Sequence, residues 1–235
     1  MINLKVGDID CQLPSEWNEI KLKDYSKIYS IIKSDSFTEP DEDDSTRTKE
    51  ENKVLETERS LHNIKLNRKL FSQLTGIDES IINNVDVKEM SNTLTLMTNF
   101  LNGDVDKMSI DEGLTRSFKY KETTYFYPIA EMKTSTFGDF IEAAQLDMLA
   151  EKDEAGKFGV IAEQMAILCR ERGEDYDEQK VIKKTKLFEN LTMEKVWGFV
   201  FFLNKQISIY KKNIQTFSNQ ETEMTTDIPQ IIGAS

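Results

Sequence analysis

The chain has 235 residues, and its 42 acidic residues outnumber 30 basic ones for a formal charge of -12. That excess argues against a general nucleic-acid binder, which needs a basic face to displace phosphate counterions. Two cysteines, Cys11 and Cys169, make no disulfide framework, and the single histidine, His62, supplies neither a tetrahedral zinc set nor the base of a Ser-His or Cys-His pair.

The first residues alternate. Ile2, Leu4 and Val6 share one face, and Ile9, Cys11 and Leu13 share another after the Gly7-Asp8 pair. Two alternating runs joined by a Gly-X loop predict a β-hairpin, which Pro14 closes because it cannot donate to a ladder. No basic start followed by an apolar run precedes the hairpin, so no secretory signal is expected. Trp17 then introduces a helix whose Leu22, Tyr25, Ile28, Tyr29 and Ile32 step by three and four. Residues 1–34 form this hairpin-and-helix unit.

Residues 35–52 break the pattern. Asp35–Glu51 holds eight acids against two bases, a local charge of -6 and half of the chain's excess. Such a segment cannot bury enough apolar surface to offset its ordering entropy, and it reads as a flexible acidic loop, either plainly solvated or able to dock a basic partner. As an EF-hand it fails, with Thr46 where glycine is needed and Asn52 where the bidentate glutamate belongs.

A helical domain is predicted over 53–217. Leu61, Ile64, Leu70, Phe71 and Leu74 give one apolar face, ended by Gly76. Asp86 opens a capping box with Glu89, and Val87, Met90, Leu94, Met97 and Leu101 follow as a seam. A second hairpin is expected near 115–128, with Phe118 and Tyr120 on one strand, Lys121-Glu122 at the turn, and Tyr125 and Tyr127 on the other. Thr136 is placed to cap a helix whose Phe137, Phe140, Ile141, Ala144 and Met148 face inward. Phe158, Ile161, Ala162, Met165, Leu168 and Cys169 make the next stripe, and a short segment carries Val181, Ile182, Leu187 and Phe188. Thr192 opens the longest apolar helix, about 193–217, whose first half is apolar on nearly every side and is either central to the core or covered by a partner. Residues 218–235 form a flexible, polar tail. The most apolar stretch, Val196–Leu203, has eight residues against roughly 20 for a membrane span. The fold class is therefore mostly α (α+β), with two small antiparallel hairpins.

No catalytic set emerges. Phosphate loops and H-E-x-x-H are absent, and the glycines are scattered singly. Glu171, Glu174, Asp175, Asp177 and Glu178 cluster around Gly173, which reads as a solvated turn neutralised in part by Arg170 and Arg172. The basic run Lys180–Lys186 is able to face the acidic loop of its own or a neighbouring copy. No enzyme activity, cofactor or metal is expected.

Several segments taken together carry a resemblance. They are Leu13-Pro14-Ser15-Glu16-Trp17, the Tyr125–Pro128 strand end leading into Thr136–Ala144, Met165–Arg170 with Tyr176-Asp177-Glu178, and Leu191–Asn204. Their order resembles a group of tailed-bacteriophage virion-assembly proteins, including those of phages of Bacteroidota, described as tail assembly chaperone-like or structural. Lys21, where a Ser or Thr cap is common, and the acidic insert depart from that group. The resemblance implies a non-enzymatic morphogenesis protein. It would act on other phage structural proteins in the host cytoplasm, or be retained in the virion as a ring, connector or tail component. Homo-oligomerisation is open, and neither direct nucleic-acid nor membrane binding is implied. Trp197, Phe201, Phe202 and Tyr210 are the expected partner interface. The competing reading is an acidic DNA mimic that inhibits a host nucleic-acid enzyme, motivated by the charge.

Overall fold

The computed structural model describes residues 1–38, 47–102, 116–128, 136–150, 152 and 156–204. The fold is mostly helical with two small antiparallel two-stranded sheets. The centre of the expected acidic loop, residues 39–46, and everything after Asn204 lie outside the described residues.

Strands β1 (Ile2–Val6) and β2 (Ile9–Leu13) pair from Ile2↔Leu13 to Val6↔Ile9 around Gly7-Asp8. Gly7 has φ +60°, the conformation that a glycine-first two-residue hairpin loop requires. A short 3-10 turn, Trp17–Glu19, follows, and the Glu19 carboxylate gathers Ser15 N, Glu16 N and the chain's N-terminal ammonium. Helix α1 (Leu22–Ser34) then begins without a side-chain cap at Lys21. Its first two N–H groups, Leu22 and Lys23, donate instead to the carbonyls of Leu191 (2.8 Å) and Glu189 (2.9 Å). In return Met193 N donates to Ile20 O at 2.8 Å. A distant backbone segment thus satisfies the donors that a Ser or Thr would otherwise take, which is why lysine is tolerated there.

Helix α2 (Lys49–Thr75) starts four residues before the predicted Lys53, because Thr48 and Glu51 close a reciprocal capping box. It runs back along α1, with Lys69 paired to Asp35 at 2.7 Å. At 27 residues against 13 in α1, its first turns extend past the end of α1. This overhang corrects part of the predicted face: Leu70 and Phe71 are buried, whereas Leu61 and Ile64 are exposed along with Val54. His62 is half-buried against Phe37.

Helix α3 (Glu79–Ile82) is one turn, and α4 (Val87–Leu101) is capped by Asp86, whose carboxylate accepts from Lys88 N and Glu89 N. Glu89 turns to the first hairpin and accepts from Gly7 N at 3.0 Å. The α4 seam is Met90, Thr93 and Met97, with Leu94 and Leu101 packed beside it, and Val87 is exposed at 83%. Val6, Leu13, Ile28, Leu70, Phe71, Ile82 and Met97 form one core cluster.

Strands β3 (Ser117–Tyr120) and β4 (Thr123–Phe126) pair from Ser117↔Phe126 to Tyr120↔Thr123. The turn is Lys121-Glu122, with Lys121 at φ +53°, a region that costs a residue bearing a Cβ about 1 kcal/mol. Lys121→Gly is expected to raise unfolding free energy by about 0.5–1 kcal/mol in urea titrations, since it relieves that cost at an exposed turn.

Helices α5 (Phe137–Ala150), α6 (Lys157–Leu168), α7 (Glu178–Phe188) and α8 (described over 193–204) assemble the second core around α6. Helix α6 is buried on nearly every side, from Phe158 to Leu168, and packs on α5, α7 and α1. Phe188, Leu191, Met193, Val196 and Phe199 close the other side. Tyr25 of α1 belongs to both clusters and joins the halves. No described helix is long and apolar enough to cross a membrane.

The second hairpin reaches α8 through Tyr127, whose hydroxyl donates to Lys195 O at 2.9 Å. A Cβ at Gly198 would lie 2.7 Å from that hydroxyl oxygen and 3.0 Å from Cζ. Gly198→Ala would gain about 1 kcal/mol of helix propensity. We expect it nonetheless to lose about 1–3 kcal/mol in chemical denaturation through overpacking, with partial recovery in the Tyr127→Phe background.

Candidate interaction surface

Helix α5 is fastened from behind by polar groups. Thr136 caps it: its hydroxyl accepts from Asp139 N at 3.2 Å, and its own N–H donates to the Asp139 carboxylate at 2.6 Å. The other Asp139 oxygen meets the Arg170 guanidinium at 2.7 Å, with both side chains about 6% exposed. Arg170 also donates from Nε to Ile167 O, lies 5.4 Å from the Tyr176 ring centre, and accepts from Phe126 N through its carbonyl. One residue therefore holds together α5, the end of α6, the 170–178 turn and the second hairpin. Further along, the buried Gln164 amide donates to Ala143 O (2.9 Å) and to Asp147 (2.8 Å).

The inward face of α5 is consequently Asp139, Ala143, Leu146 and Ala150. This corrects the predicted orientation. Ile141 is 43% exposed, Met148 72% and Leu149 56%, with Ala144 exposed between them. At 100° per residue, Ile141, Ala144 and Met148 lie opposite 139, 143, 146 and 150, the exposed Gln145 lies among them, and Leu149 sits at the edge beside Glu142. The spacing was right for a helix and wrong for its face, because two alanines on the far side let α5 approach α6 closely and Arg170 draws Asp139 inward. The signal available in the sequence was the small-residue pair Ala143 and Ala150 in phase with Asp139. Phe137 belongs to the predicted inward set, and its side chain lies outside the described residues.

The 170–178 turn is only in part the solvated loop expected from its charge. Arg170 and Glu174 point inward, the latter to Lys184 at 3.0 Å, while Glu171, Arg172, Asp175, Asp177 and Glu178 face solvent. The Lys184 ammonium also donates to Cys169 O, and burial pushes the Cys169 thiol well above its ordinary range. Lys184 is thus used internally rather than on the basic run's outer face. Tyr176 is exposed and donates to Glu142 at 2.9 Å. That bond to a carboxylate stabilises the neutral phenol and pushes its pKa up to about 12. Glu142→Gln removes the anionic acceptor, so Tyr176 should then ionise nearer to its ordinary value of about 10 in a 295 nm absorbance titration.

The residues expected as the interface are placed as follows. Trp197 is half-buried, in edge contact with Trp17, Tyr25 and Phe158 at centroid distances of 5.5–5.8 Å. Phe202 is half-buried and stacks on Tyr127 at 5.2 Å, with Phe201 beside it at 5.5 Å. Tyr210 lies outside the described residues. A second apolar feature, a groove of about 540 Å³ between α2 and α4, is lined by Ile64, Ile82, Val87, Met90 and Leu94 among others.

Among the described residues no group of three or more His, Cys, Asp or Glu side chains is arranged to hold a metal ion. Among the described residues of α5, Ile141, Met148 and Leu149 are large apolar side chains left exposed. No protein-family model matches the chain, and no curated protein or solved structure is similar to it at a significant level.

Proposed function

We propose that the chain is a non-enzymatic bacteriophage morphogenesis protein that works through protein–protein contacts. It serves either as a tail assembly chaperone-like protein, shielding an aggregation-prone partner until assembly, or as a structural component of the virion. One observation carries the interaction half of this reading: an apolar stripe of α5 is turned outward while a buried ion pair and a buried amide hold the opposite face against α6. Ile141, Met148 and Leu149 are grouped around Gln145 on the outer side of α5, and exposed apolar side chains grouped in this way are where a partner surface forms. The phage context is supported by the resemblance of the segments around Pro14, Thr136, Arg170 and Leu191 to virion-assembly proteins. On this reading the partners are other phage structural proteins, met in the host cytoplasm.

Quantitative mass spectrometry of purified virions, beside affinity capture of the tagged full chain from infected cells, tests the proposal. A structural component appears in the particle in stoichiometric amount. A chaperone is missing from the particle and captures one virion protein. Absence from both overturns the reading.

A further inference from the structure

We propose that the α5 surface takes an amphipathic helix whose apolar ridge is bordered by lysine or arginine. The inference rests on the reading of the chain as an interaction protein and names the chemical class of the partner. Ile141, Ala144, Met148 and Leu149, with the amide of Gln145 among them, span the outer side of the helix over about two turns, the length over which an i, i+3, i+7 ridge of a partner helix docks.

What borders the stripe sets the sign of the partner. Glu142 lies at one edge of the helix with one oxygen accepting from Tyr176, Asp147 lies at the other with one oxygen accepting from Gln164, and α5 carries no basic residue to offset either charge. Beyond the Glu142 edge the surface is acidic in balance: Tyr176 contacts Glu142, and in the same turn Glu171, Asp175, Asp177 and Glu178 face solvent against one base, Arg172. A second copy packing α5 against α5 would bring these carboxylates together, which costs free energy on both edges. Lys or Arg flanks on a partner helix would meet both edges at once, and their stems would extend the apolar contact. Helix α5 cannot roll to hide the stripe within its own fold without breaking the Asp139–Arg170 pair and the Gln164 bonds. The surface is therefore rigid before binding, which lowers the ordering cost of association.

The test uses the full chain and fluorescently labelled synthetic helical peptides of about 18 residues. They share one leucine ridge and carry lysine, glutamine or glutamate on the flanks. The Lys-flanked peptide is expected to bind about tenfold or more tightly than the Glu-flanked one in fluorescence anisotropy, with the gap narrowing at high salt. Met148→Glu is expected to weaken the Lys-flanked peptide about tenfold while leaving the melting temperature unchanged. If Met148→Glu tightens binding, the attraction is only diffuse charge and the proposal fails. Equal binding of all three peptides overturns it as well. It is also overturned if the full chain sediments as a dimer that Met148→Glu dissociates, because a second copy is then the occupant. If no peptide binds and Met148→Glu lowers the melting temperature, the chain itself covers the stripe. Loss of peptide selectivity with the chain still present in virions would remove this inference and leave the proposed function standing.

Discussion

Arg170→Leu is expected to destabilise the chain by about 3–5 kcal/mol, because it leaves the Asp139 carboxylate buried without its cation. At this chain length that corresponds to a fall in Tm of about 10 °C. The loss would not come from the ion pair as such. A buried pair contributes little net stability, since desolvating two charges cancels most of their attraction. It comes from stranding one partner. Asp139→Asn in the same chain keeps an oxygen for Thr136 N and removes the stranded charge. The double variant is therefore expected to recover most of the loss, with a coupling of about 2 kcal/mol or more in the double-mutant cycle. Additive single effects would mean that Arg170 works mainly through Ile167, Tyr176 and backbone contacts.

Phe188→Ala has the other large expected effect. Its ring is fully buried, edge-on to Tyr125 at 5.0 Å and to Phe118 at 5.8 Å, at the point where α7 meets the second hairpin. Truncation removes the contacts of a whole ring and leaves a cavity that β3 and β4, only four residues each, cannot collapse to fill. The expected cost is about 3–5 kcal/mol by urea denaturation. Phe188→Leu should lose less than half of that, because it restores most of the volume. A small loss for the alanine variant would indicate that the hairpin is docked by its hydrogen bonds, Phe126 N to Arg170 O and the Tyr127 hydroxyl to Lys195 O, rather than by its rings.

Both hairpins were legible from sequence because their information is local. Gly7-Asp8 and Lys121-Glu122 interrupt strict alternation, and the observed registers close on those pairs. Helix ends with local caps, at Asp86 and Thr136, were legible for the same reason. What escaped depends on residues far apart. Lys21 looks like a missing cap until Glu189 and Leu191 are brought to it. Leu61 and Ile64 look like core until α1 proves half as long as α2. Ile141, Ala144 and Met148 have the spacing of a buried stripe, and only Arg170, thirty-one residues beyond Asp139, shows which face of α5 points inward. Helices with apolar residues on both sides carry no phase information of their own, so the partner's position decides the face.

The charge that opens the sequence also changes meaning in the fold. Asp35, Glu51, Asp139 and Glu174 are engaged in pairs and caps, whereas Glu142 and Asp147 each accept one neutral donor, Tyr176 and Gln164, and keep their charge at the edges of an apolar surface. Position rather than sum decides what each carboxylate does.

Ile141, Met148 and Leu149 of α5 lie on the surface and not in the core. Urea unfolding of the full chain with Ile141→Gln, Met148→Gln and Leu149→Gln, singly and together, tests it most directly. Glutamine keeps helix propensity and removes apolar character. Each variant is expected to stay within about 0.5 kcal/mol of the parent, as exposed positions do. A loss of about 2 kcal/mol or more per substitution would place these side chains in the interior and contradict it.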